Sequence, residues 1–133
     1  MHLLEWFMPK KKEKVQQMPA KNKIRFSSTE KKVLQLPGSG IFSLKNPVER
    51  QIPSEGTVAI DLGVVCETHA LDVFPAKGLA DFGFEIVDGL GKKDVGEKIV
   101  VAVKNKNKRI AALPENEPVL RAFALDNSNL EIA

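Results

Sequence analysis

Thr57-Val58-Ala59-Ile60-Asp61-Leu62-Gly63-Val64-Val65-Cys66 is the stretch that decides the fold class. Val58, Ile60, Leu62, Val64 and Cys66 fall on every second position, which places all five on one face of an extended chain. A helix would need the i, i+3, i+4 spacing, and the β-branched residues here disfavour it. A strand with one apolar face needs sheet neighbours and a second layer to cover that face. Working outward, His69–Phe74 reads as a further strand ending at Pro75, and Phe82, Phe84 and Ile86 alternate up to Asp88-Gly89. Lys98–Val103 is a compact β-branched strand, Arg109–Leu113 a short one and Val119–Leu125 the last, with Pro114 and Pro118 bracketing the loop between those two. Upstream, Val33, Leu34 and Leu36 lead into Pro37-Gly38-Ser39-Gly40, a turn signal, and Ile41–Lys45 is a short strand closed by Asn46-Pro47.

Short strands separated by Gly, Pro and Asn turns, with no long amphipathic helix, predict an all-β, jelly-roll or β-sandwich-like single domain over residues 33–133. Residues 1–32 read as an extended basic N-terminal arm. The whole chain has 133 residues, 43% apolar and 28% charged, which suits one soluble domain. Its net charge of +3 hides an asymmetry. The arm holds nine Lys/Arg against three Asp/Glu, and the rest eleven against fourteen. A tail so basic fits an anionic partner or a solubilising extension equally well.

The arm opens on an apolar tip, Leu3, Leu4, Trp6 and Phe7, which is expected to anchor the chain to a partner subunit or, less simply, to a membrane surface. Lys10, Lys11, Lys12 and Lys14 follow, then Lys21, Lys23 and Arg25 within a polar stretch, 15–32, that reads as linker. A second cluster, Lys104, Lys106, Lys108 and Arg109, falls between two strands. Both clusters are candidate anion or nucleic-acid contacts. The second reads first as a solvated hairpin tip whose lysines discourage strand pairing, and only then as an anion contact.

Cys66 is the single cysteine, so no intrachain disulfide or multi-thiolate site is possible, and its alternating context reads as a small buried hydrophobe. His2 and His69 stand in unrelated contexts, so neither a metal site nor any cofactor is expected. No secretory leader and no membrane span is expected, since no run nears the roughly 20 apolar residues a span needs. Asp61 is unusual because aspartate is disfavoured inside strands. It is either a catalytic or ligand-binding carboxylate or the polar side of a one-sided sheet.

Gly56–Leu62 resembles the Ala-Gly-Tyr-Asp-Leu strand of the trimeric dUTPase family. Gly96–Asn105, a glycine-led strand ending in Asn, followed by Arg109-Ile110-Ala111-Ala112-Leu113, is similar to that family's later strands and its Gly-Asp-Arg-Ile-Ala-Gln-Leu run. The resemblance covers about half the chain and implies a shared trimeric β fold. The chain departs from the family in having no Tyr, no Arg-Ser-Gly-Leu run and no Gly-rich C-terminal arm with a Phe. Those departures remove the groups that would hold a base and a pyrophosphate.

Taken together, the arm and β domain predict a non-enzymatic structural protein: a minor capsid, vertex or decoration protein of a virion, made in a host cytoplasm. Its expected partners are other subunits of a homo-oligomer, with a trimer favoured and nucleic acid as a further partner through the arm. The alternatives are a cytoplasmic dUTPase-like nucleotide hydrolase and a basic nucleic-acid-binding module.

Overall fold

The alternating stretch folds as the longest strand of a computed structural model that describes residues 23–27, 33–35, 40–125 and 130–132. In chain order the strands are β1 (Lys23–Ile24), β2 (Val33–Gln35), β3 (Phe42–Lys45), β4 (Arg50–Ile52), β5 (Thr57–Val65) and β6 (Leu71–Pro75). They continue with β7 (Phe84–Asp88), β8 (Gly91–Lys93), β9 (Lys98–Asn105), β10 (Ala111–Leu113), β11 (Pro118–Ala124) and β12 (Glu131–Ile132). One 3-10 turn, Ala80–Phe82, precedes β7. The all-β class is as the sequence predicts.

Two sheets carry the core. A five-stranded sheet has the order β2-β3-β11-β6-β8, and a three-stranded sheet the order β5-β9-β7. Two strand pairs, antiparallel β4-β10 and parallel β1-β12, complete the architecture. The period of two does the sorting in β5: Ile60, Leu62 and Val64 are buried, while Thr57, Ala59 and Asp61 are exposed. β9 answers with Ile99, Val101 and Val103, and the facing sheet adds Phe42, Leu44, Leu71 and Leu120. Each such buried side chain contributes on the order of 1.5–3 kcal/mol through removal of apolar area from water.

Several boundaries differ from the expectation. Phe82 does not join the inward row with Phe84 and Ile86. It lies 56% exposed in the 3-10 turn, which ends before the strand begins. The strand expected from His69 starts at Leu71, after a turn in which His69 Nδ1 meets Thr68 Oγ1 at 2.8 Å. Part of the stretch read as linker is built into the domain. Ile24 and Phe26 are buried, Phe26 bridges to Cys66, and its ring meets Phe42 edge-on at 5.5 Å. Their polar neighbours masked them, because two apolar residues in a basic run give no period. Cys66 is buried, as its alternating context predicts.

Candidate functional site

Asp61 stands where β5 departs from regular pairing. The ladder with β9 is regular from Thr57 opposite Lys104 to Asp61 opposite Val100, then shifts so that Val65 is opposite Lys98. Gly63 provides the bend, with φ +69°, a conformation that residues with a Cβ adopt only under strain. Asp61 Oδ1 accepts a hydrogen bond from Gly63 N at 2.9 Å, which closes the bend and fixes the carboxylate at the exposed face. The aspartate therefore does local structural work through one oxygen and leaves the other directed to solvent or a ligand.

Ala59 pairs with Ala102, and Ala102 pairs in turn with Asp88 on β7. The face around Asp61 is thus floored by small side chains, with Val87 and Val100 exposed beside them. Asp88 lies two strands from β5, roughly 10 Å across the sheet, and its Oδ1 accepts from Gly89 N. Among the described residues no group of three or more His, Cys, Asp or Glu side chains is placed to hold a metal ion.

A cavity of about 240 Å³ lies where β6 hands over to β7, lined by Pro75, Ala76, Leu79, Ala80, Phe84, Glu85 and Ile86. Ala76 and Leu79 of the lining flank Lys77-Gly78 in the loop that follows β6 directly, and Lys77 is exposed there. Leu79 is buried and ties the loop down, its N–H donating to Ala76 O and its carbonyl accepting from Phe84 N. Lys77 was not singled out in the sequence. Its one signal is that Gly78-Leu79 matches the end of an Arg-Ser-Gly-Leu run, too short a match to stand alone.

Of the candidate site residues, Leu3, Leu4, Trp6 and Phe7 at the apolar tip and the cations Lys10, Lys11, Lys12, Lys14 and Lys21 behind it lie outside the described residues. Lys23 pairs with Glu131 at 2.9 Å, Arg25 with Glu67 at 3.0 Å and Lys104 with Glu55 at 3.5 Å. The Lys23 ammonium, first through its hydrogen bond and then through its charge, holds the Glu131 carboxyl below its ordinary range. Lys106, Lys108 and Arg109 are exposed, as a hairpin tip requires, and form no ion pair among the described residues.

That tip is held by amides. Buried Asn105 donates from Nδ2 to Ile52 O at 2.9 Å and to Arg109 O at 2.8 Å. Its Oδ1 accepts from Asn107 N and Asn107 Nδ2, each at 2.8 Å. Asn107 Nδ2 also donates to Phe82 O, and Ser54 Oγ donates to Asn107 O. The asparagine that ends β9 thus joins the loop after β4, the hairpin tip and the 3-10 turn.

No family model and no curated protein matches this sequence. Solved structures do match. The chain is similar to the native EIAV dUTPase, with 19% identity, a TM-score of 0.61, and coverage of 83% of this chain and 96% of that one. It is also similar to the dUTPase from Streptococcus mutans, with 15% identity, a TM-score of 0.65, and coverage of 81% and 97% respectively. These matches overturn the expectation of a capsid, vertex or decoration protein, and with it the expectation of a non-enzymatic chain, because the folds matched along nearly their whole length are those of dUTPase enzymes. The basic arm drove that expectation, and most of it lies outside the described residues. By its architecture this chain has the dUTPase fold.

Proposed function

We propose that this chain is a dUTPase-like nucleotide hydrolase working as a homo-oligomer, with a trimer favoured. One observation carries the reading: the fold similarity spans almost the full length of two dUTPase chains, and it coincides with an exposed carboxylate set at a bulge on β5. The reaction is attack of a water oxygen on the α-phosphorus of a nucleoside triphosphate, breaking the α–β bridge and releasing pyrophosphate and a proton. Asp61 is the carboxylate assigned to the attacking water or to the cation that accompanies the triphosphate. Lys77, exposed in the loop between β6 and the 3-10 turn, is the cation assigned to phosphate charge. With no tyrosine in the chain, base recognition cannot use a Tyr ring, so the substrate class is nucleoside triphosphates, with deoxyuridine triphosphate first to be tried.

Asp61 lies outside the lining of the cavity between β6 and β7, and completion of the site by a neighbouring copy is part of this reading. The small side chains Ala59 and Ala102 with exposed Val87 and Val100 offer a flat face for such packing. Light scattering after size exclusion tests this part: an oligomer is expected, and a monomer at high concentration contradicts it. Asp61→Asn keeps the side-chain shape and the Gly63 hydrogen bond but removes the charge. It is expected to lower turnover by about 100-fold or more with little change in stability. Turnover equal to that of the parent would remove Asp61 from the mechanism.

A further inference from the structure

The five-stranded sheet has an outer face that the proposed hydrolase site does not use. Cα pairing sets two rows across it. Leu34, Ser43, Arg121 and Phe74 are adjacent in one, and Phe123, Asp72 and Lys92 in the next. Phe74 and Phe123 therefore sit side by side on the solvent side of central strands, with ring centroids 5.8 Å apart. Phenylalanine on a solvated sheet face forgoes burial, and here both rings are only partly covered. Arg121 lies over the Phe74 ring, its Cζ 4.6 Å from the centroid, and its Nε donates to Pro75 O at 3.1 Å. A guanidinium has five N–H donors, so the stacked and anchored Arg121 retains its terminal donors, which engage nothing among the described residues.

We propose that this sheet face binds single-stranded nucleic acid, with Phe123 and the Phe74–Arg121 stack as platforms for bases and Arg121, Lys45 and Lys92 as phosphate partners. Charge complementarity selects the occupant. Lys45 faces outward from β3 and Lys92 from β8, where Lys92 Nζ lies 3.7 Å from Asp94 Oδ1, so three cations stand against two carboxylates, Asp72 and Asp94, and the balance stays positive. Base stacking on aromatic and guanidinium planes needs no base identity, only unpaired bases. A duplex hides its base faces, and a sheet lacks the ridge that enters a major groove. This inference is independent of the hydrolase reading, since it rests on other strands and is read by binding alone.

The test is fluorescence anisotropy of a labelled oligothymidylate and of a duplex of the same length, titrated with the full chain at low and at raised salt. The single strand is expected to bind more tightly than the duplex. Phe123→Leu, which keeps apolar volume but loses the ring face, is expected to weaken single-strand binding by about tenfold at both salt concentrations, since stacking is not screened. Arg121→Gln is expected to weaken it and to flatten the salt dependence. Thermal unfolding establishes that both variants are folded. Duplex binding as tight as single-strand binding, or a folded Phe123→Leu protein binding like the parent, would overturn the proposal and leave electrostatic attraction or a protein contact in its place.

Discussion

Replacing Asn105 by alanine removes four hydrogen bonds at once, and the structure says what each removal leaves behind. Ile52 O is buried and loses its donor, a penalty of about 1–3 kcal/mol. Arg109 O and the Asn107 N–H groups are only part-buried, so water replaces some of what they lose, at about 0.5–1 kcal/mol each. The small cavity left in the core adds to this. The expected total is about 3–4 kcal/mol, or a fall in Tm of roughly 10–20 °C for a domain of this size. Urea unfolding followed by circular dichroism measures it, with an unchanged m-value showing that the two-state reference holds. Asn105→Asp sharpens the test, because the shape is kept while both donors become acceptors facing two carbonyls. That variant should be at least as unstable at neutral pH and should recover as pH falls, since burial opposes the charged form and a protonated acid regains one donor. A loss below about 1 kcal/mol for Asn105→Ala would refute the view that this amide ties the hairpin tip to the core.

Other consequences are quicker to check. Gly89 has φ +98°, and a Cβ there would meet Val101 Cα at 2.9 Å and crowd the Val100 carbonyl even more closely. Gly89→Ala should therefore destabilise by about 2 kcal/mol or more in thermal melts. Phe42→Ala removes a fully buried ring that also packs edge-on with Phe26, and is expected to reduce stability by about 3–5 kcal/mol. The Glu131 carboxyl, lowered by Lys23, favours the folded form above its unfolded pKa and stops doing so as pH falls through the lower folded value. Both groups are exposed, so the readout is the titration itself. NMR should show Glu131 titrating below its ordinary position in the parent and returning to it in Lys23→Met. The Cys66 thiol should resist a thiol reagent until the chain unfolds, because it is buried.

How far the sequence could be read depends on how local each signal is. The alternation in Thr57–Cys66 is local and strong, and it placed Ile60, Leu62 and Val64 in the core correctly. β4 and β8 were missed because Arg50-Gln51-Ile52 and Gly91-Lys92-Lys93 are too short to show a period, and their pairing with β10 and β6 is non-local. Ile24 was masked by the basic residues around it, although β12 returns from the far end of the chain to pair with its strand. The fold's likeness to dUTPases was legible in Gly56–Leu62 and Gly96–Leu113. It was outweighed by missing motifs and by a charge asymmetry that speaks to partners rather than to fold. Asn105 was visible only as the last residue of a strand. Its role depends on Ile52, fifty-three positions away, which no local pattern reports.

Pyrophosphate release from the separate deoxynucleoside triphosphates at micromolar protein tests the central claim most directly. The account predicts release from at least one of them, stoichiometric with the monophosphate formed and lowered about 100-fold or more in Asp61→Asn. No detectable release from any of them, by a protein shown to be folded and oligomeric, would contradict it.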